Sequence, residues 1–332
     1  MQAIGFLNPT PKASSESFQS FTLPDPAPSG RDLLIKPQAV SVNPVDYKER
    51  SHRAPSKPGK PVILGWDGAG EVVAVGDSAH GFKTGDRVFW SGELNRDGSN
   101  STLQLVDHRL VGRMPKSLDF AEAAALPLTS VTAYEALFER MRVPTTNAGR
   151  VLIIGGAGGV GSVAIQLLKA LTDAEVYATA GRPDSAEWVH RMGADVVVNR
   201  HDLNNPSKRS ELPEFDYVLC TTHAAHYEQI FPEIIKPLGV LGLIDDPKQF
   251  DFPALKRKSI AAVWELIFTK SLFQVDVSSQ GNTLNLIADL IDQKRLTSTK
   301  NRILEGLTPE ALTEAHRLQE AGESIGKTVI AW

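Results

Sequence analysis

Hydrophobic positions follow two different spacings along this chain, and the change falls near Asp119. Before it, apolar residues come in short β-rich runs, LLIKPQAVSV (33–42), EVVAVG (71–76) and DRVFW (86–90), separated by Gly76-Asp77 and Gly85-Asp86 turns. Ten of the 21 prolines lie within the first 61 residues. Proline suits strand edges and turns and breaks helix interiors, so this part reads as a β domain with irregular connections. After it, DFAEAAALPLTSVTAYEALFERM (119–141) reads as two helical pieces parted by Pro127. From Arg150 strands and helices alternate: VLIIG, then the helix SVAIQLLKAL, then EVYATA, the helix DSAEWVHRMG, VVVN, DYVLC, a helix through HYEQIFPEII, and LGVLGLID. Such alternation predicts a parallel sheet with helices on both faces.

The remainder reads as mostly helical. LNLIADLIDQKR (284–295) sets Leu286, Ile287, Leu290 and Ile291 on one face, and Thr308-Pro309 supplies the N-cap and first residue of a final helix. A closing strand, GKTVIAW, has to pair either at the edge of the α/β sheet or back in the β domain. With 332 residues the chain exceeds what one core usually serves, so two domains are expected.

Two glycine-rich stretches compete for a ligand. In VLIIGGAGGVGS (151–162), Gly156-x-Gly158-x-x-Gly161 follows an apolar strand and opens a helix in which Val163, Leu167 and Leu171 recur every four residues. Strand, glycines and helix in that order form a dinucleotide-binding fingerprint: the turn at Gly156, Gly158, Gly159, Val160 and Gly161 lets backbone approach a pyrophosphate at the positive end of the helix. LGWDGAGEVVAVGD (64–77) runs into a strand instead of a helix, so its glycines read as bulges and close backbone approach in a curved sheet.

An NAD site usually carries Asp or Glu at the end of the second strand to meet the ribose 2′-hydroxyl. Here EVYATA ends at Ala180, followed by Gly181 and Arg182; Glu175 stands at the opposite end and Asp184 lies beyond the turn. No carboxylate repels a 2′-phosphate, and Arg182, with Arg200 at the end of the third strand, offers a permanently charged planar fork to one. NADPH is the expected cofactor. Thr221, Thr222 and His223 after the fourth strand, and Leu243 with Ile244 after the fifth, should border the cofactor crevice, since ligands bind beyond the carboxyl ends of parallel strands.

Composition narrows the partners. Net charge is -4 with pI about 6.1, which gives no long-range attraction to nucleic acid or an anionic membrane. The N-terminal MQAIGFLNPTPKASS lacks a basic region followed by an apolar core, and no apolar run approaches about 18 residues, so a cytoplasmic location is expected. The single cysteine, Cys220, rules out an internal disulfide and a multi-thiolate zinc site, and FDYVLCTTH places it on a buried strand.

Taken together, VSVNPVDYKER, LGWDGAGEVVAVG, FKTGDRVFW, AAALPLTSVTAYEAL, the GGAGGVGS loop, HRMGADVVVN and IGKTVI resemble the medium-chain dehydrogenase/reductase superfamily, and within it the zinc-free quinone oxidoreductase branch. The resemblance implies an α/β protein: a GroES-like β domain of residues 1–123 and 265–332, and an inserted Rossmann doubly wound domain of residues 124–264, with the active site in a cleft between them. It implies that Asn43 and Tyr47 lie beside the nicotinamide and the acceptor, that Thr132 neighbours the nicotinamide, that Phe268 presents backbone to its carboxamide, and that the protein is a homodimer.

Zinc-dependent members of that superfamily hold their catalytic metal on two cysteines and a histidine, and the corresponding places here look like Asn43, Trp66 and Leu128. Amide, indole and aliphatic groups are not zinc ligands, so no metal is expected, and Trp66 reads as a wall of the acceptor pocket. Oxidising an alcohol needs zinc or a tuned base to take the hydroxyl proton, whereas a quinone or an enone accepts hydride with only orientation and a hydrogen bond to the developing oxyanion. The reading is an NADPH-dependent reductase of a small electrophilic acceptor, a quinone or other activated carbonyl. An enone, alkenal or enoyl-thioester reductase, a disfavoured zinc-dependent alcohol dehydrogenase, and a non-enzymatic NADPH-binding protein stay open beside it. Tyr47 as proton donor and Tyr47 as pocket wall read alike in the sequence.

Overall fold

A computed structural model describes all residues, 1–332, and divides them into two compact units, Met1–Leu128 with Phe268–Trp332, and Thr129–Ile267. In chain order the strands are β1 (Gln2–Gly5), β2 (Gln19–Thr22), β3 (Asp32–Ser41), β4 (Asp67–Val75), β5 (Arg87–Ser91), β6 (Gln104–Asp107), β7 (Val111–Arg113), β8 (Arg150–Ile154), β9 (Glu175–Ala180), β10 (Val196–Asn199), β11 (Phe215–Cys220), β12 (Ile235–Leu243), β13 (Ala261–Trp264), β14 (Lys300–Glu305) and β15 (Lys327–Ala331). No helix is long and apolar enough to cross a membrane.

The first unit is built on a seven-stranded sheet of order β14-β15-β3-β4-β5-β7, with β6 also paired to β3, and a separate β1–β2 pair. Its neighbours run antiparallel except β14 and β15, which are parallel. One core cluster gathers Leu33, Ile35, Val72, Val88, Trp90 and Leu110. The β3–β4 pairing slips register at Leu34/Ile35 and again at Pro37/Ala39. There the two backbones close in so far that a Cβ on Gly70 would strike the Lys36 carbonyl and lie 2.9 Å from Pro37 Cα. Gly70 thus serves close approach in a curved sheet, whereas Gly65 takes φ 107° ahead of β4 and Gly68 makes room for the Trp90 ring.

GKTVIAW closes the β domain: β15 pairs antiparallel with β3 and parallel with β14. The unit boundary falls at Leu128 because the helix Phe120–Ala124 packs on β3, β4, β5, β14 and β15. The second boundary, Ile267/Phe268, follows β13, which extends the second unit's sheet past the stretch where a fifth strand was expected to end it.

In the second unit six parallel strands stand in the order β10-β9-β8-β11-β12-β13. β8, with every residue but Arg150 buried, is covered on both faces, as its unbroken apolar run requires. The order reverses between β8 and β11, which creates a crevice at the carboxyl ends of those two strands. Cys220 ends β11 and is fully buried; burial pushes its thiol up to about 12, so it behaves as a small hydrophobe.

HYEQIFPEII forms less helix than its apolar spacing suggests, only a turn at Ala224–His226 and the short helix Phe231–Ile234. Pro232 is tolerated only in a first turn, and His223 just upstream takes the left-handed region at φ 53°.

Candidate active site

The glycine turn of the second unit leaves β8 at Ile154 and enters the helix Gly159–Leu171, with Gly158 at its N-cap. Gly155 turns the chain with φ 86°, where a side chain would also strike Thr221 Oγ1. Thr179 on β9 fixes the turn, its Oγ1 accepting the Gly155 N–H at 2.9 Å and its carbonyl the Gly156 N–H at 3.2 Å. A Cβ on Gly161 would strike the Gly155 carbonyl and lie 2.8 Å from Gly156 Cα, so strand and helix meet more closely than any side chain permits. The first-turn N–H groups, those of Gly159, Val160 and Gly161 among them, have no intrahelical partner by geometry and form an anion-binding end. The residues fit a pyrophosphate.

At the end of β9 stands no carboxylate. Glu175, at the strand's start, pairs with Arg150 at 2.9 Å, and Asp184 is exposed in the first turn of the next helix. Arg182 is exposed at the N-cap of that helix, Pro183–Arg191, where its backbone N–H donates to Ser185 Oγ at 3.0 Å. Arg200, following β10, folds its side chain over Gly181, where a Cβ would lie 2.8 Å from Cδ and 2.9 Å from Cζ. Arg182 by its position and Arg200 by its side chain therefore belong to the same strand end.

Across the crevice, Thr221 Oγ1 donates to the Ile154 carbonyl at 2.9 Å and ties β11 to β8. Thr222 Oγ1 lies 2.6 Å from His223 Nδ1, and His223 stacks obliquely on His226 with centroids 5.5 Å apart. Leu243 is buried at the end of β12, and Ile244 donates its N–H to the Cys220 carbonyl at 3.4 Å. Thr132 is buried in the helix Pro127–Tyr134. The next turn, Glu135–Arg140, is a π-helix whose Glu135 carboxyl hydrogen-bonds that of Glu265, just beyond β13. Burial, then Glu135, pushes Glu265 up to about 9, so this buried pair shares a proton.

In the first unit Asn43 meets a buried carboxylate. Asp67 opens β4 with no exposed surface. Its Oδ2 accepts from Ser41 Oγ at 2.8 Å, Asn43 Nδ2 at 2.7 Å and Lys327 Nζ at 3.1 Å, and its Oδ1 accepts the Leu128 N–H at 2.7 Å. Asn43 is the N-cap of the helix Pro44–His52, where Pro44 fits the first turn. One turn in, Asp46 Oδ2 accepts the Asn43 backbone N–H at 2.7 Å. Burial pushes Asp46 up to about 7 against the opposing pull of that N–H and of Lys327. Tyr47, on the same helix, is half-buried, and its hydroxyl makes no hydrogen bond within the chain.

Trp66 is buried, donates its indole N–H to the Glu93 carbonyl at 3.0 Å, and meets the Phe268 ring edge-on at 5.9 Å. The Phe268 carbonyl accepts from Leu272 N–H at 2.8 Å and Ser271 Oγ at 3.1 Å, which leaves its amide as the group able to meet a carboxamide. Asn43, Trp66 and Leu128 offer no thiolate, imidazole or carboxylate, and the ammonium of Lys327 sits 2.5 Å from Asn43 Oδ1, where a metal cation would meet like charge. No group of three or more His, Cys, Asp or Glu side chains is gathered where it would hold a metal ion. These residues do not fit zinc.

Sequence reasoning missed Lys327, Asp46 and the Glu135–Glu265 pair. By its pattern IGKTVI reads as a closing strand, although a lysine beginning an otherwise buried strand carries a signal of its own.

Residues 29–132 match the sequence profile described as alcohol dehydrogenase GroES-like domain, and residues 159–267 that described as zinc-binding dehydrogenase. A zinc-type alcohol dehydrogenase-like protein of Staphylococcus aureus is 39% identical over 339 residues, covering 99% of each chain. A solved structure from Rhizobium etli CFN 42, whose name places it with the zinc-dependent alcohol dehydrogenases, superposes with a TM-score of 0.95 at 43% identity, over 100% of this chain and 98% of that one. The quinone oxidoreductase of Coxiella burnetii superposes with a TM-score of 0.82 at 26% identity, over 100% of this chain and 99% of that one.

Proposed function

Since the chain belongs to the medium-chain dehydrogenase/reductase superfamily, a family of oxidoreductases, we propose that it is an NADPH-dependent reductase that delivers hydride to a quinone or other activated carbonyl without zinc. The observation that carries the reading is the end of β9, where Arg182 and Arg200 flank Gly181 and no carboxylate stands. An arginine fork there favours a 2′-phosphate and gives a 2′-hydroxyl nothing to replace the missing acceptor.

The glycine turn and the first N–H groups of the helix Gly159–Leu171 would hold the pyrophosphate, and NADPH, when bound, supplies the hydride. This chain's own task is to place the acceptor and to meet the charge that develops on its oxygen. Tyr47 is the group we assign to that oxygen, since its hydroxyl is uncommitted. Trp66, expected as a pocket wall, is 1% exposed and packs behind the site against Phe268 with its indole N–H committed, so it supports the pocket and does not line it. A donor set that does not suit zinc is consistent with an acceptor that needs no Lewis acid.

The test is the loss of reduced-nicotinamide absorbance with 1,2-naphthoquinone and with a 2-alkenal, using chelator-washed protein and each of NADPH and NADH. Turnover should survive the chelator and favour NADPH. Replacing Arg182 and Arg200 by alanine should weaken NADPH binding about tenfold to a hundredfold and leave NADH binding unchanged, as loss of charged hydrogen bonds to a phosphate implies. Equal use of both nucleotides by the unaltered protein, or activity that disappears with the metal, would refute the proposal. Preference for the alkenal would move the acceptor to the alkene class.

A further inference from the structure

Lys327 begins β15, and its side chain is 4% exposed against 0% for Asp67. The ammonium donates to the Val42 carbonyl at 2.9 Å, Asn43 Oδ1 at 2.5 Å and Asp67 Oδ2 at 3.1 Å. Those three contacts use all of its donors, so the lysine has none left for a substrate.

The same contacts fix Asn43. An ammonium only donates and a carboxylate only accepts, so the amide oxygen must face Lys327 and the amide nitrogen must face Asp67. Without Lys327 the oxygen would lose its partner, and the amide would be free to turn. Asn43 also caps the helix that bears Tyr47, and its backbone N–H is held by Asp46.

We infer that Lys327 is a positioning residue for the reduction, acting through Asn43: its ammonium sets the plane of the Asn43 amide and thereby the start of the helix that carries Tyr47. The inference rests on the reductase reading above. The same contacts could arise if Lys327 did no more than neutralise Asp67, and the two roles part when both charges are removed together.

The experiment compares the full chain with Lys327→Met, Lys327→Met/Asp67→Asn and Asn43→Ala, following kcat with NADPH and 1,2-naphthoquinone, NADPH affinity and thermal stability. Lys327→Met leaves a buried carboxylate unpaired and should lose both stability and kcat. The double variant leaves no unpaired charge, so its stability should return while kcat stays depressed, by about tenfold to a hundredfold as expected of a displaced site. Asn43→Ala keeps the Lys327–Asp67 pair and should lose kcat by a similar factor, and in the folded double variant NADPH affinity should stay within about twofold of the unaltered chain, because neither Lys327 nor Asp67 is assigned a contact with the nucleotide and the glycine turn and both arginines lie in the other unit.

Recovery of kcat together with stability in the double variant would overturn the inference, as would an Asn43→Ala protein with full kcat. A double variant that stays unfolded also counts against it, because the lysine would then serve the fold and not the site. No turnover by the unaltered chain would end the reductase reading instead.

Discussion

Asp46 is buried in a helix's first turn, and replacing it by asparagine should change how stability depends on pH. Burial raises its carboxyl from 3.8 to about 7, with Asp67 adding to the rise and the Asn43 N–H and Lys327 opposing it. A group whose folded value lies above its unfolded value contributes stability fully below the unfolded value and loses it as pH climbs through the folded one. A rise of about three units at about 1.4 kcal/mol each corresponds to about 4 kcal/mol lost between about pH 4 and about pH 7. Asparagine stays neutral throughout and still offers an oxygen to the Asn43 N–H. Urea unfolding, followed through tryptophan emission to which the buried Trp66 and Trp90 of the first unit contribute, supplies the assay. The two proteins should be similar near about pH 4, and the variant should become the more stable by up to about 4 kcal/mol near about pH 8. Glu265 titrates higher and in both proteins alike, so its contribution cancels in the difference. Stability curves that run parallel across this window would refute the assignment of Asp46 as a carboxyl held neutral by burial.

Two further outcomes follow from packing and charge. Gly161→Ala forces a methyl against the Gly155 carbonyl, an obstacle made of backbone that has no rotamer to yield, and should abolish measurable NADPH binding in a titration while lowering the melting temperature of the second unit. Glu265→Gln should flatten the decline in melting temperature toward alkaline pH: the unaltered protein loses stability from about pH 4.5, where the unfolded carboxyl ionises, up to about pH 9, where the Glu135–Glu265 pair gives up its shared proton, whereas the variant retains a neutral amide throughout. An identical alkaline decline in both proteins would contradict the shared proton.

The glycine turn, the buried Cys220 strand and the alternating order of the second unit were legible because each is written locally, in a run of apolar residues or a fixed spacing of glycines. The last helix was equally legible: Thr308 Oγ1 accepts the Ala311 N–H at 3.1 Å with Pro309 in the first turn. The helix Ser278–Asp292 buries Leu284, Ile287, Leu290 and Ile291, with Leu286 at the margin of the expected face. β13 and β14 were hidden because both lie at sheet edges: KNRILE is mostly exposed and lacks an apolar signature, and AAVW, though apolar, is only four residues long and partly exposed. The site of the first unit was half legible. Asn43, Tyr47 and Trp66 came through a resemblance, whereas the contacts that organise Asn43 are made through space by side chains on β4 and β15, and no periodicity reports a pairing of that kind.

The bond between Lys327 and Asp67 joins residues 260 positions apart, and the whole of the second unit lies between them in the chain. A ribosome therefore releases Asp67 long before its partner exists, while residues 129–267 are continuous and free to condense on their own. The first unit stays an open sheet with an unmatched acidic residue at its centre until β15 slides in beside β3. Completion of the first unit is then a late event in biogenesis, and a chain cut short before Lys327 would keep the continuous second unit and leave the first without its closing strand.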